Sequence, residues 1–340
     1  MDRRKFLKGA AATGVAAGTA TMMSTSANAA KTVRLRMQRF YGTENEANMK
    51  RFAKLVKEAS GGSLRITNFS GGELVPNDQM ADAVGKGTLD MALGYGGYWP
   101  GQIDIATIES GLPGMWPNRD EADYLFHGMG LHDLVAEAYA EKGIRHMGIS
   151  YGGGYDLLTK EPIKSLDDLK KMKIRATPAV AKTFKQLGIP TVNLPAQELY
   201  VALSTGVIDG CIYGGTMEYR DLKLVEVAKH YTSLNMITPG WTDCILMNEK
   251  KWAKLSEEHK AILTMAVTQL AADQYNWFNN GNREAASEEG LFVFNTLSAE
   301  DSKRITAAAQ DVWKAEADRS PRNAKAIELA VKMAKATGRL

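Results

Sequence analysis

Two stretches of the chain, QMADAVGKGTLDMALGYGG at residues 79–97 and ELYVALSTGVIDGCIYGG at residues 198–215, repeat one pattern. Each runs from a helical segment through Gly-x-hydrophobic-Asp into an apolar strand, and then leaves through glycine and tyrosine. Gly87 corresponds to Gly206, and Asp90 corresponds to Asp209. An α/β unit that recurs after about 120 residues favours two lobes of similar construction over one large domain.

Strands and helices alternate on both sides of this repeat. The alternation predicts an α/β fold with mostly parallel sheets and a ligand site at the strand ends between the lobes. In the first lobe the pattern predicts strands at 33–39, 64–69, 90–95 and 144–150, with helices at 44–60, 77–84 and 119–143.

The predicted lobes each use two parts of the chain. We expect residues 30–150 to form the first lobe, with about 236–275 returning to it. Residues 151–235 are expected to form the second lobe, with about 276–340 completing it. The helical pattern that begins near residue 256 is longer than one small lobe needs, so we expect this helix to reach both lobes.

The first 29 residues have the features of a cleaved export signal. A basic start is followed by a weakly apolar Ala/Gly/Thr/Met stretch and by SANAA, a small-residue cleavage pattern. The sequence RRKFLK at residues 3–8 is typical of twin-arginine export. We therefore expect cleavage after Ala29 and a mature chain in the periplasm, with no stable membrane insertion of its own.

The export signal also accounts for the net charge. Its four basic residues against one Asp give +3, which equals the formal net charge of the whole chain, so the mature chain is near neutral. This balance predicts neither a nucleic-acid partner nor an anionic membrane partner.

Residue types that carry catalysis or bind metals are sparse. Cys211 and Cys244 are the only cysteines, and we expect two buried free thiols, although the sequence leaves their pairing open. The histidines lack metal-ligand spacing, since they occur singly at His127, His132, His146, His230 and His259. No nucleophile elbow, zincin motif or nucleotide loop is present, so we expect no enzyme, no cofactor and no metal.

The segment KIRATPAVAKTFKQLG at residues 173–188 predicts an anion site. A short strand ends on Arg175, and a helix follows with Thr177 as its N-cap and Pro178 at its first position. Arg175 then lies beside a helix N-terminus, where a guanidinium can hold a carboxylate through two parallel hydrogen bonds. A surface arginine paired with a nearby acid is the alternative.

Aromatic residues follow several of the predicted strands. Any one of them can belong to the core, but together with neighbouring glycines they indicate a ligand cleft with ring surfaces and hydroxyls. The candidates are Tyr41, Tyr95, Tyr98, Trp99, Tyr151, Tyr155, Tyr213 and Trp241.

These residues, in their order and spacing, resemble a known family. Arg175, Pro178 and Gly188, together with PTVNLPAQELYVAL at 190–203 and GVIDG at 206–210, resemble the solute-binding subunit of tripartite ATP-independent periplasmic (TRAP) transporters, the DctP-like family. Further matches are GGEL at 71–74, GKGTLDMA at 85–92 and the segment 227–255. The resemblance covers nearly all of the mature chain.

The resemblance implies a two-lobed periplasmic binding protein fold with crossing strands and a long inter-lobe helix. It implies a small organic acid as ligand, held through its carboxylate by the arginine that matches Arg175. It also implies delivery to the small and large membrane subunits of the transporter, without chemistry.

The sequence departs from the family at the position of Tyr213. Dicarboxylate and sugar-acid binders usually have Asn there after an acidic residue, whereas this chain has Ile212-Tyr213 and resembles the branch that binds keto or hydroxy acids. Some members of that branch hold a metal ion with a Glu-Trp pair at these two positions. This chain lacks the pair, although Glu218 remains an alternative ligand.

The ligand is expected to be a monocarboxylate with an apolar or aromatic body, because only one cleft arginine is identifiable. If half of the rings pack inside the lobes, a small hydroxy or keto acid fits better. Alternatives are a C4-dicarboxylate or sugar-acid binder of the same family, a binding protein of an ATP-driven transporter, and a periplasmic oxidoreductase exported folded.

Overall fold

The computed structural model describes residues 32–116, 118–237 and 241–338. The predicted export signal at residues 1–29 and the turn at 238–240 lie outside these residues. The described residues form eleven strands in two sheets: β1 (Val33–Arg39), β2 (Leu64–Phe69), β3 (Met91–Gly94), β4 (Ile144–Tyr151), β5 (Tyr155–Thr159), β6 (Ile174–Arg175), β7 (Thr191–Val192), β8 (Gly210–Ile212), β9 (His230–Ile237), β10 (Thr242–Asn248) and β11 (Val293–Thr296).

Thirteen α-helices accompany these strands in the same described ranges. They are α1 (Glu46–Ala59), α2 (Met80–Lys86), α3 (Ala106–Glu109), α4 (Arg119–Asp123), α5 (Leu131–Ala140), α6 (Leu166–Leu169), α7 (Pro178–Gln186), α8 (Leu199–Ser204), α9 (Thr216–Asp221), α10 (Glu249–Ala253), α11 (Glu257–Ser287), α12 (Ala299–Ala317) and α13 (Pro321–Ala336). The predicted α/β fold is confirmed.

Both sheets are mixed. The first has the strand order β2-β1-β3-β10-β4, and the second has the order β11-β9-β5-β8-β6-β7. The expectation of mostly parallel sheets is met only in part, because four of the nine strand pairings are antiparallel. All four involve β4, β5, β9 or β10, the strands that lead from one sheet to the other.

Two extended segments connect the sheets. β4 of the first sheet leads into β5 of the second through the three glycines at 152–154, and β9 of the second leads back to β10 of the first. The two connections lie side by side, since Tyr151 pairs with Thr242 and the N–H of Gly152 donates to the carbonyl of Trp241 at 2.8 Å. The predicted crossing strands are therefore confirmed.

The repeat noted in the sequence is confirmed by matching hydrogen bonds. The N–H of Asp90 donates to the carbonyl of Arg36 at 3.0 Å, and its carboxylate accepts from the N–H of Arg36 at 2.7 Å. Asp209 makes the same two bonds with Lys173, at 2.9 and 2.8 Å. Each Asp thereby fixes the start of its strand against the neighbouring parallel strand.

This register makes Gln38 of β1 and Arg175 of β6 equivalent positions, each two residues beyond the bonded pair. Both side chains hold the loop before the next helix. Gln38 Nε2 donates to the carbonyl of Val75 at 2.8 Å, and Arg175 Nε donates to the carbonyl of Leu194 at 3.0 Å. In both loops the next residue is a proline that precedes a 3₁₀ turn.

The long helix α11 contacts elements that belong to both sheets. On the side of the first sheet, Gln274 Oε1 accepts from Asn45 and Asn48, each at 2.8 Å. Eight residues after Gln274, Asn282 Oδ1 accepts from the backbone N–H of Met217 in α9, which follows β8 of the second sheet. The expectation that this helix reaches both lobes is confirmed.

The predicted helix at 119–143 is interrupted. α4 passes into a π-helical turn at Tyr124–Gly128, and α5 starts only after Gly130. Gly130 has φ of 91°, in the left-handed region that glycine enters at little cost, so a regular helix cannot continue through it.

The C-terminal helices pack on different parts of the fold. α12 packs on α7 and β9, whereas α13 packs on α12 and also contacts α3 and α5. Arg322 of α13 pairs with Asp104 at 2.9 Å and with Glu137 of α5 at 3.5 Å. The lobe boundaries drawn from the sequence, which place 276–340 in the second lobe, remain a prediction.

Two further findings concern the cysteines and the question of membrane-spanning helices. Cys211 in β8 and Cys244 in β10 are free and buried in different sheets, which confirms the prediction of two free thiols. Over the described ranges, no helix combines the length and apolar character needed to cross a membrane.

Candidate functional site

A cavity with an empty volume of about 300 Å³ lies where strands of both sheets end. Its lining residues follow β1, β3 and β8, begin β5, precede α7 and β10, or lie in α9. All but one of them are buried, so little of the lining is in contact with bulk water. The lining consists of Phe40, Tyr41, Tyr95, Tyr98, Tyr155, Thr177, Tyr213, Glu218 and Trp241.

Seven of these nine residues are aromatic. Their rings pack edge to face around the cavity: Tyr95 and Tyr98 have centroids 5.2 Å apart, and Tyr155 and Trp241 have centroids 5.0 Å apart. This is the arrangement that aromatic quadrupoles favour, and it fixes the rings in place. The cavity therefore has rigid apolar walls with hydroxyls at a few points.

Arg175 lies between the cavity and an outer cleft. The cleft has an empty volume of about 1390 Å³ and shares Phe40, Tyr98 and Tyr213 with the cavity as lining. The Arg175 side chain is 1% exposed, and its guanidinium carbon lies 5.4 Å from the centroid of the Tyr213 ring. The arginine thus stands beside the ring that separates the two spaces.

The guanidinium of Arg175 is only partly used by the protein. Nε donates to the carbonyl of Leu194 at 3.0 Å, and Nη1 donates to the carbonyl of Ile212 at 2.7 Å. An arginine has five N–H donors, and the side chain of Tyr98 also accepts from this guanidinium, so two remain for other acceptors. Among the described residues that line the cavity and the cleft, Arg175 is the one cation.

Thr177 occupies the predicted N-cap position of α7, with extended ψ of 159°, but its side chain does not cap the helix. Thr177 is 4% exposed, and its hydroxyl contacts the side chain of Tyr155 instead of the helix. The predicted capping bond is therefore wrong. The hydroxyl lies in the cavity lining instead, where it is available to a ligand.

Two buried carboxyl groups lie in or next to the cavity. Glu218 lines it, and its Oε2 accepts from the N–H of Gly215 at 2.9 Å; burial raises the pKa of this carboxyl well above its ordinary value. Asp243 accepts a hydrogen bond from the hydroxyl of Tyr41 at 2.6 Å. Burial raises the pKa of Asp243 to about 8, against the lowering effect of the Tyr41 bond.

Most of the residues predicted for the site are brought together, but two are not. Trp99 is buried in the first sheet, where its Nε1 donates to the hydroxyl of Tyr139 at 3.0 Å and its ring packs over Gly94. Tyr151 points away from the cavity, and its hydroxyl donates to Asp123 at 3.1 Å. Neither residue lines the cavity or the outer cleft.

Phe40, Thr177 as a lining residue, and Asp243 were missed from the sequence. Phe40 precedes Tyr41 at the same strand end, and both rings reach the cavity because the chain leaves the regular strand there. Asp243 stands inside the apolar run of β10, and an unpaired acid in such a run is itself a signal of a polar partner.

The cavity does not offer a set of ligands for a metal ion. In the described parts of the chain, no group of three or more His, Cys, Asp or Glu side chains converges. Glu218 is the one carboxyl group in the lining, and it already accepts a backbone hydrogen bond. The residues present therefore do not fit the metal-bridged arrangement of the keto-acid branch.

The chain is similar to proteins of one family. Residues 42–319 match the model of the bacterial extracellular solute-binding protein family 7. A monocarboxylate 2-oxoacid-binding periplasmic protein of Nostoc sp. (strain PCC 7120) is 29% identical over 265 residues, which cover 76% of this chain and 71% of that protein.

Solved structures share the fold. A TRAP periplasmic solute-binding protein of Chromohalobacter salexigens, with bound (S)-(+)-2-amino-1-propanol, has a TM-score of 0.83 at 24% identity and covers 88% of this chain and 95% of its own. One from Rhodobacter sphaeroides, in an open ligand-free form, has a TM-score of 0.69 at 25% identity and covers 90% of this chain and 99% of its own. These likenesses confirm the two-lobed fold.

Proposed function

This chain belongs to the bacterial extracellular solute-binding protein family 7, and we propose that it captures a small monocarboxylate in the periplasm for a TRAP transporter. The small and large membrane subunits of the transporter receive the ligand. The protein performs no chemistry, and the ligand leaves it unchanged.

The observation that carries the proposal is the position of Arg175. It is the one cation among the described residues that line the cavity and the cleft, and two of its five donors are unused by the protein. A carboxylate can occupy those donors in a water-poor site, where a charge-assisted pair is strong. A C4-dicarboxylate needs a second cationic group for its other end, and this lining offers none.

The comparisons support this ligand class and the transport role. The Nostoc relative carries the name of a monocarboxylate 2-oxoacid-binding protein, and several solved structures with this fold are TRAP binding proteins. The twin-arginine signal predicted at residues 1–29 supports the periplasmic location. A 2-oxo or 2-hydroxy acid with an apolar body suits a small cavity of rings and hydroxyls.

A binding screen on the wild-type protein and on a variant of Arg175 tests the proposal. Calorimetry of monocarboxylates and C4-dicarboxylates should find the tightest ligand among the monocarboxylates. Arg175→Gln is the sharpest variant, because Gln38 already holds the equivalent loop in the first sheet. It should fold normally and weaken binding by about 30-fold to several thousand-fold, since a buried carboxylate then loses its charged partner.

Arg175→Lys should recover part of the affinity, because an ammonium keeps the charge but not the planar fork. Arg145→Gln is the matched control, since Arg145 pairs with Glu249 far from the cavity lining. Succinate or malate binding tighter than every monocarboxylate, or Arg175→Gln binding the best ligand within threefold of wild type, would overturn the proposal. NMR after long incubation should recover the ligand unchanged.

A further inference from the structure

The inner cavity has a charge character opposite to that of the outer cleft. No Lys, Arg or His among the described residues lines the cavity. Glu218, which is 3% exposed, is the one acidic residue in the lining. Arg175 lines only the cleft, beside the ring of Tyr213. A ligand that fills both spaces therefore meets a cation at one end and a carboxyl group at the other.

The rings strengthen this asymmetry. Seven aromatic side chains line a space of about 300 Å³, and the faces of aromatic rings carry partial negative charge. Desolvated ring faces attract organic cations, and cages of Tyr and Trp are the usual sites for quaternary ammonium groups. Burial of a purely apolar ligand body requires no carboxyl group, yet Glu218 lies among these rings.

The two buried acids also lack counter-ions. Neither Glu218 nor Asp243 takes part in an ion pair with any described residue: Glu218 accepts from a backbone N–H, and Asp243 accepts from the neutral side chains of Tyr41 and Trp241. An unpaired buried carboxylate is costly, which is why burial raises the pKa of both groups. A cation brought in by the ligand would remove this cost and let an acid ionise beside it.

We propose that the ligand is a zwitterion: a monocarboxylate whose far end is a quaternary or tertiary ammonium group. The ammonium lies in the cavity among the rings and next to Glu218, and the carboxylate lies on Arg175. This inference rests on the proposed function, because it needs Arg175 to hold a carboxylate. It adds the class of the other end of the ligand.

The competing role for Glu218 is that of a neutral acid that donates a hydrogen bond to a keto or hydroxy oxygen. That role needs one donor, and the hydroxyls of Thr177 and the tyrosines in the same lining already supply donors. If Glu218 had that role, the faces of the aromatic rings would make only apolar contacts with the ligand. We therefore favour the cation, and the experiment separates the two.

Pairs of ligands that differ only in charge provide the test. Glycine betaine and 3,3-dimethylbutyrate have the same shape, because a carbon replaces the charged nitrogen. Longer betaines with one and two more methylene groups between the carboxylate and the ammonium are tested in the same way, each with its carbon isostere. They cover a range of distances between Arg175 and the cavity. Calorimetry in EDTA, so that no metal ion stands in for the ammonium, should show at least one betaine binding about tenfold or more tighter than its isostere.

Glu218→Gln should remove most of this preference while the affinity for the carbon isostere changes less than threefold. Glutamine keeps the shape and can still accept from the N–H of Gly215, so the helix start is preserved. Asp168→Asn is the matched control. Asp168 Oδ2 accepts from the N–H of Ser165 in the same kind of helix-start bond, away from the cavity, so the betaine preference should persist.

The outcomes separate this inference from the proposed function. If every carbon isostere binds as tightly as its betaine, or if 2-oxo acids bind and no betaine does, the zwitterion is wrong and the monocarboxylate stands. If Glu218→Gln leaves the preference intact, the assigned role of Glu218 is wrong. If no monocarboxylate of any kind binds and Arg175→Gln changes nothing, the proposed function itself fails.

Discussion

The hydroxyl of Thr177 shows how a correct backbone assignment can hide a different side-chain role. Its sequence context, with Pro178 next and Gly188 later, predicts an N-cap, and the backbone adopts that position. The side chain nonetheless does not cap the helix: it lines the cavity and contacts the side chain of Tyr155. Hydrogen-bond direction depends on side-chain rotamer, which sequence does not specify.

Asp243 gives the clearest prediction at the residue scale. Its carboxyl has a pKa of about 8 in the folded protein, against about 3.9 in an unfolded chain. Between these values the folded state binds the extra proton, so the free energy of unfolding falls as pH rises, by up to about 1.4 kcal/mol per pH unit. The stabilisation is complete below about pH 4 and is lost above about pH 8.

Asp243→Asn removes this dependence, because an amide does not titrate and can still accept from Tyr41. Relative to wild type, the variant should gain stability steadily from pH 5 to pH 8 and then no further. Urea unfolding at four pH values measures the difference, with Asp82→Asn in α2, where the side chain is 51% exposed, as a control. Parallel stability curves for Asp243→Asn and wild type would show that this carboxyl is already ionised in the fold.

At the scale of elements, the crossing between β4 and β5 shapes the cavity wall. Gly152 lies against the indole of Trp241, and a Cβ at this position would come within 2.5 Å of ring carbon. Gly154, two residues on, has no atom within 4 Å of the position of a Cβ. The first glycine is therefore required by packing, and the last is not.

Gly152→Ala should displace the Trp241 ring and weaken binding of the best ligand about tenfold or more. Overpacking of this kind also costs roughly 1–3 kcal/mol of stability. Gly154→Ala is the matched control from the same crossing and should change the dissociation constant less than threefold. Calorimetry and thermal unfolding of both variants measure the effects. Equal affinities for the two variants would mean that the indole position does not matter for binding.

Elements were predictable where local pattern and long-range packing agree. The bounds of β1 and β2 follow from their alternation of apolar and polar residues, and the Gly-x-hydrophobic-Asp repeat identifies β3 and β8 as equivalent strands. The sequence did not distinguish the role of Tyr98 from that of Trp99, because a loop has no regular periodicity that shows which ring faces the cavity. The direction is set by Gly94 and Tyr139, which leave room and an acceptor for Trp99. The place of Asp243 beside the cavity could not be predicted, because its hydrogen-bond partner Tyr41 is 202 residues away in the sequence.

At the scale of the whole molecule, the closed cavity implies motion. Eight of its nine lining residues are buried, so a ligand cannot enter without separation of the two sheets. The chain passes between the sheets at the paired crossings and again through α11, and glycines at 152–154 can absorb the change in dihedral angles at the crossing from β4 to β5.

The ligand-free protein should therefore be more open in solution than the structure described. X-ray scattering should give a larger radius of gyration without ligand than at saturation, and the saturated curve should match the closed coordinates. Arg175→Gln with the same ligand concentration serves as the control and should stay open. Superimposable curves with and without saturating ligand would contradict closure on binding.

The equivalence of Gln38 and Arg175 also orders the events of capture. The two halves present the same strand end to the ligand, but only the second carries a charge there. If Arg175 holds the carboxylate, an arriving anion is attracted to that side first, and contacts with the first sheet form once the distance is short. We therefore expect the solute to bind the second sheet first and the first sheet to close over it afterwards. On reopening, the contacts with the first sheet should break first, and the solute should leave last from the β6 side.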